Sequence, residues 1–270
     1  LELCGIPPED RKDFFQWTNT MMFSEDPDMS VGEEEAQVAS LHIIEYAMKL
    51  AAQHQENPKD DIIGALLTDK GGDKGLTEDE FVWFFLMLIA AGNESTRTIT
   101  SHGMRMLMQH PDQLQYLVDN PEKIPGACEE MLRYNTAFIL MRRTALEDIE
   151  VAGHEIKAGD KVIMHYHTVN HDETVFGDDA MEFDVRRAER MPDLYKEHRA
   201  FGVGQHFCLG SHLARLELLI IMQEIIPRLR NPKLAGAITY TRSALVNGIK
   251  RMDITFDPEV KTAGAEREVA

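Results

Sequence analysis

The chain has 270 residues, 43% hydrophobic and 27% charged, and its 28 basic against 46 acidic side chains leave a formal net charge of −18. A chain of this length buries roughly three quarters of its unfolded surface, so a sizeable core is available in one or two domains. The acidity argues against a nucleic-acid partner, because phosphate contacts need clustered Lys and Arg. Cys4, Cys128 and Cys208 are far apart and odd in number. They form neither a disulfide framework nor a C-x-x-C zinc pattern, and a reducing cytoplasm is expected. The longest apolar run, Phe81 to Gly92, has 12 residues. A bilayer span takes about 18 or more, so this run reads as a core helix and no transmembrane segment is expected. No signal peptide is visible. The chain opens without Met, within Leu1-Glu2-Leu3-Cys4-Gly5, and on that ground reads as a fragment.

Residues 8 to 22 and 33 to 55 read as helices, the second from Ala39, Ile43, Tyr46, Ala47 and Leu50 at helical spacing. Asp60 to Leu67 is a shorter helix, followed by an exposed loop at Gly71-Gly72-Asp73-Lys74-Gly75. Thr77-Glu78-Asp79-Glu80 is a capping box, with Leu76 placed to staple onto Phe81. It opens a long helix that only Gly92 and Gly103 weaken and that Pro111 stops. Such a rod, roughly 50 Å at 1.5 Å per residue, crosses a domain. Pro111 to Tyr134 gives two more helices, with Pro125 in a first turn. Ile149 to Val169 reads as short antiparallel strands with turns at Gly153-His154 and Ala158-Gly159-Asp160. Residues 170 to 200 are polar and irregular, Leu209 to Ile226 is helical, weak strands follow Leu234, and a polar, disordered tail occupies 259–270. The fold class is mainly α with a small β region.

Phe201-Gly202-Val203-Gly204-Gln205-His206-Phe207-Cys208-Leu209-Gly210 is the most informative stretch. Three glycines relax the backbone around one cysteine, and a helix follows whose unpaired N–H groups favour a thiolate. A lone thiolate in such a loop suits an axial haem ligand, which pushes electron density onto iron. A buried cysteine in a tight turn is the bland alternative. The ten residues resemble the haem-binding loop of the cytochrome P-450 family, F-G-x-G-x-H-x-C-x-G, at every fixed position.

Further matches follow. Glu130-Met131-Leu132-Arg133 resembles the E-x-x-R pair, one helical turn apart on a shared face, and Phe183-Asp184-Val185-Arg186-Arg187 resembles F-D-x-x-R. The resemblance implies that Glu130, Arg133 and Arg187 form a buried structural network behind the haem. Arg143, before Ala145-Leu146-Glu147-Asp148, resembles the arginine that pairs with a haem propionate, with Arg142 as its substitute. His206 resembles the propionate-binding histidine, in preference to His198. Ala91-Gly92-Asn93-Glu94-Ser95-Thr96 resembles A-G-x-[D/E]-T-[T/S], where the central helix passes the haem. There Ala91 and Gly92 make room for dioxygen, while Glu94, Ser95 and Thr96 deliver protons. Ser95 departs from the usual Thr. It keeps the hydroxyl without the methyl that restricts its rotamer, so some reducing equivalents are expected to escape as peroxide. The acid–alcohol pair argues against a peroxide-dependent relative.

His165, His167 and His171 can be drawn as a metal site on one strand face, but the resemblance assigns that segment to a strand entering Asn170-His171-Asp172. Arg215, Arg228 and Arg230 read as solvated face residues or as a basic patch for an acidic ferredoxin. The resemblance covers 1–258 as the C-terminal part of one bacterial-type cytochrome P-450 domain. It implies haem b held by Cys208, with Phe201, Gly202 and Gly210 shaping the loop. It also implies monooxygenation with O2 and electrons from NAD(P)H through a ferredoxin and its reductase. Ala90, Ala137, Phe138, Ile139, Leu140, Leu245 and Val246 would line an apolar pocket. Arg143-Thr144-Ala145-Leu146 and Asn247-Gly248-Ile249-Lys250 resemble the sterol- and terpene-oxidising branch. Two alternatives stay open: a haem-thiolate protein that binds gas or reduces nitric oxide without hydroxylating, and a fragment unable to hold haem.

Overall fold

The protein is described by a computed structural model over residues 1–29, 32–68 and 75–257. The 259–270 tail and residues 71–74 of the glycine-rich loop lie outside the described residues. Among the described residues helices dominate, with four separate two-stranded antiparallel ladders. The chain divides into two compact units, one comprising residues 1–95 with 241–243 and the other 96–240 with the residues from 244 onward.

The first unit holds α1 (Arg11–Met22), α2 (Glu33–Glu56), α3 (Ile62–Leu67) and the N-terminal part of α4 (Glu78–Gln109). Its core gathers Phe14, Ile43, Ala47, Leu50, Ile63, Phe81, Phe85 and Ile89, so the predicted helical stripes do face inward. The box that starts α4 is closed in both directions. The Glu80 N–H donates to Thr77 Oγ1 at 3.3 Å and the Thr77 N–H to Glu80 Oε2 at 2.9 Å. His54 joins α2 to α3, its Nδ1 3.0 Å from the Leu50 carbonyl and its Nε2 2.9 Å from Asp61, the N-cap of α3.

In the second unit, the C-terminal part of α4 packs with α5 (Pro111–Asp119), α6 (Ile124–Tyr134) and α11 (Ser211–Ile225). Leu107, Leu117, Met131 and Met222 are all fully buried there. Gly103 is required by this packing, since a Cβ on it would fall 2.7 Å from Met131 Sδ and 3.0 Å from Met222 Cε. Between α6 and α11 run β1 (Leu140–Thr144), β2 (Ile149–Val151), β3 (His154–Ile156) and β4 (Lys161–His165). The turns α7 (Tyr166–Val169), α8 (Glu173–Phe176), α9 (Arg187–Arg190) and α10 (Leu194–Glu197) follow. After α11 come β5 (Arg230–Leu234), β6 (Thr239–Tyr240), β7 (Ile249–Arg251) and β8 (Ile254–Asp257). Leu209, just ahead of α11, and Leu213, Leu216 and Ile220 along it are exposed.

The strand region differs from expectation in two ways. β4 pairs with β1 rather than with β3, so the ladder begins at Leu140, before the β-branched run. The strand also ends at His165, where its Nδ1 caps α7 by accepting from the Thr168 N–H at 3.2 Å. His167 and His171 therefore lie on or after a helical turn, and the alternate-strand geometry drawn for a metal does not exist.

Candidate functional site

The loop from Phe201 to Gly210 is a built structure. Gly202 and Gly204 adopt φ of 72° and 75°, the left-handed region that glycine enters without steric cost. A Cβ at Gly202 would also press to 3.3 Å from the Tyr166 hydroxyl. The reversal lets the Cys208 N–H reach back to the Phe201 carbonyl at 2.9 Å, and the Phe207 N–H to that of Gly204 at 3.0 Å. A turn through Leu209 and Gly210 then leads into α11, three residues after Cys208. The three thiols are not equivalent. Burial pushes Cys128 up to about 12 and also raises Cys4, whereas Cys208 is partly exposed. Phe207 and Leu209 beside it show 49% and 73% of their surface to solvent, a high exposure for large apolar groups.

Behind the loop sits a buried ionic cluster. Arg133 grips Glu130 with Nε and Nη2 at 2.7 and 2.8 Å, a two-pronged pair on α6. Arg187 Nε approaches the same carboxylate at 3.1 Å, and the Asp184 N–H donates to it at 3.0 Å. The remaining guanidinium protons go to carbonyls, those of Asn170, Ala180 and Glu182 for Arg133, and of Phe176, Asp179 and Glu182 for Arg187. Asp179 adds a second carboxylate 3.0 Å from Arg187. Burial opposes its charge, but the Arg187 hydrogen bond and both nearby arginines outweigh that and hold it below the usual carboxylate range. Every donor has an acceptor, which makes burial of three charged groups affordable.

A second cluster escaped the sequence reading. His198 is buried, not a surface residue: its Nδ1 accepts from the Ala200 N–H, so Nε2 donates to Glu129 at 2.8 Å. Arg215 Nε donates to the other Glu129 oxygen at 2.8 Å, and its guanidinium lies 4.6 Å over the Phe201 ring. Burial disfavours the Glu129 carboxylate, yet His198 and Arg215 together keep it below its ordinary range. Arg215 is thus a clamp between α6, α11 and the loop rather than a solvated face residue. Arg228 is paired with Glu224. A cleft of about 590 Å³ opens beside the loop, lined by Lys196, Arg199, Phe201, Phe207, His212 and Arg215 among others.

The other candidate residues fall in three places. His206 is exposed in a short 3-10 turn, and Arg143 is exposed on β1, donating only to the Arg142 carbonyl among the described residues. Ala137, Phe138 and Ile139 are brought against Leu245 and Val246. The Ile139 N–H donates to the Leu245 carbonyl, the Asn247 N–H donates to that of Ala137, and Leu140 continues into β1. Ala90 through Ser95 belong to the first unit. There Glu94 is buried, Ala91 and Gly92 are exposed, and Ser95 Oγ donates to the Ala91 carbonyl at 2.8 Å. Thr96 opens the second unit, where its hydroxyl donates to Glu217 of α11 at 3.1 Å.

This is the geometry of a mainly helical protein built around one presented thiol. Comparison with known proteins narrows it further. Residues 124–233 match the family model described as Cytochrome P450. The chain is 38% identical over 258 residues to a steroid C26-monooxygenase of Mycolicibacterium smegmatis, covering 94% of the chain and 57% of that protein. It is 32% identical to linalool 8-monooxygenase of Pseudomonas putida, over 96% of the chain and 62% of the relative. CYP109E1 from Bacillus megaterium, solved in complex with testosterone, superposes with a TM-score of 0.83 at 30% identity, over 95% of this chain and 68% of that one. The chain belongs to the cytochrome P450 family. It spans about three fifths of the length of the curated relatives it matches.

The family implies haem, and the donor set fits it. Cys208 is itself partly exposed, Phe207 and Leu209 offer exposed apolar surface, and Gly204 leaves open space where a Cβ would stand. Arg143 and His206 are accessible partners for carboxylates.

Proposed function

We propose that the protein is a haem-dependent monooxygenase that hydroxylates a lipophilic substrate, a sterol or terpene, with O2 and electrons delivered through a ferredoxin. The partly exposed Cys208 in a preformed loop carries this reading, because it is the one thiol of the three that is not buried. Cys208 would hold the iron, with Arg143 and His206 as partners of the propionates. When bound, haem supplies the activation of dioxygen and the oxidising power for C–H insertion. The Glu129 and Glu130 clusters anchor Phe201 and the segments around α9, so the sulfur is presented on a rigid base.

The acid–alcohol motif divides its tasks. Thr96 donates its proton to the Glu217 side chain of α11, whereas Ser95 donates to the Ala91 carbonyl of its own helix. We assign Ser95, next to the buried Glu94, as the relay alcohol: it would take up a proton at Oγ while handing on the one it now donates to the Ala91 carbonyl. The apolar pair of segments around Phe138 and Val246 suits a substrate held by burial rather than by polar anchors. The names of the steroid and linalool relatives agree with that class. The cationic cleft beside the loop suits an acidic electron donor.

The test is the reduced, carbon-monoxide-bound spectrum of the whole gene product after haem loading, alongside Cys208→Ala. A red-shifted thiolate-type Soret band that the variant loses is the expected result. Absence of the band from the unsubstituted protein overturns the proposal.

A further inference from the structure

One buried histidine has no part in the chemistry above. His102 on α4 is 2% exposed, and its Nε2 lies 2.7 Å from the carbonyl oxygen of Asn247. That oxygen only accepts, so Nε2 carries the proton and, in the neutral ring, Nδ1 is left with a lone pair. Burial keeps the ring neutral, bringing its pKa down to about 4. Nδ1 has no partner among the described residues, so the side chain's whole hydrogen-bonding capacity is committed to Asn247.

Asn247 in turn joins its own segment to the one that follows α6. Its N–H donates to the Ala137 carbonyl at 2.9 Å and its side-chain amide to that of Thr136 at 3.4 Å. Beside it, Ile139 N–H donates to Leu245 at 2.9 Å, and Phe138 and Val246 form an isolated bridge. These two stretches lie outside every named strand except where Leu140 begins β1. His102 adds a polar tie from α4 to the 245–247 segment, beside the packing of Ala137 and Phe138 against the core. Apart from Asn247, whose amide is turned to the Thr136 carbonyl, the segments carry only apolar side chains, so a substrate against them would be located mainly by shape, and their displacement would change which carbon is offered.

We propose that His102 is a positioning residue that sets the regiochemistry of oxidation by fixing the Asn247 carbonyl, and through it the paired segments 137–139 and 245–247. This rests on reading those segments as the substrate wall. The experiment uses the whole haem-loaded gene product with His102→Phe, which keeps a flat ring without the donor, and His102→Gln, which restores an N–H. In His102→Phe, amide exchange at 137–139 and 245–247 is expected to quicken about tenfold, the equivalent of one lost hydrogen bond. Exchange in α6 should stay unchanged, which shows that the fold survives. With testosterone and linalool as probes, the ratio of oxidation products should spread in His102→Phe and return in His102→Gln, while the carbon-monoxide band stays in place. Unchanged exchange in His102→Phe overturns the positioning role. Quickened exchange with an unchanged product ratio overturns the specificity role. No optical shift with either probe in the unsubstituted protein overturns the substrate reading and the specificity role with it, yet leaves the exchange result to decide the positioning. A missing thiolate band marks failure of the haem reading instead.

Discussion

Glu130 faces two guanidinium groups and a backbone N–H, all of them out of water. Glu130→Gln leaves buried Arg133 without a carboxylate and Arg187 with Asp179 alone, and is expected to cost about 3–5 kcal/mol in urea unfolding. Ser95→Thr keeps the hydroxyl beside the Ala91 carbonyl and adds the methyl that restricts its rotamer. If Ser95 is the relay alcohol, the variant should release less peroxide per substrate oxidised, measured by peroxide against product yield. At this scale the sequence was informative wherever a motif is contiguous. The ten-residue cysteine loop, Glu130 with Arg133 and the Phe183–Arg187 segment all announce themselves by spacing. Their partners do not. His198 and Arg215 reach Glu129 across 69 and 86 residues, and His198 sits in a run of charged neighbours that gives no hint of burial.

Helices were legible because their apolar stripes repeat within one segment, and α4 because its capping box is local. The ladder of β1 with β4 was not: Leu140–Thr144 carries two arginines and no alternation, and its pairing is set by a partner some twenty residues on. The two glycines of α4, alike in sequence, part company in three dimensions. Around Gly92 nothing lies within 4 Å of an added Cβ, so Gly92→Ala should raise stability by roughly 1 kcal/mol from helix propensity alone. Turnover should fall all the same if that space admits dioxygen. Gly103→Ala meets the two buried methionines, and the overpacking cost of about 1–3 kcal/mol outweighs the same propensity gain. Thermal denaturation of the pair should show opposite signs.

For the molecule as a whole, acid is the expected stress. His102 and His171 both have pKa values brought down from 6.5 to about 4, burial being the chief cause in each. The unfolded chain thus takes up protons below pH 6.5 that the folded one refuses, and stability drains away as the pH falls from 6.5 toward 4. For His102, the deeper of the two, the loss is roughly 2 kcal/mol at pH 5. A series of urea midpoints between pH 7 and 5 should fall accordingly, and less steeply in His171→Phe. The row of Leu209, Leu213, Leu216 and Ile220 along α11 bears on a different property, how this stretch of chain behaves among its own kind in solution. A continuous greasy strip on a polypeptide of charge −18 favours association once salt screens the repulsion. In a salt titration followed by light scattering, the chain should cluster early and bind a hydrophobic dye. Replacing Leu216 and Ile220 by glutamate should push clustering to higher salt while the unfolding temperature stays put.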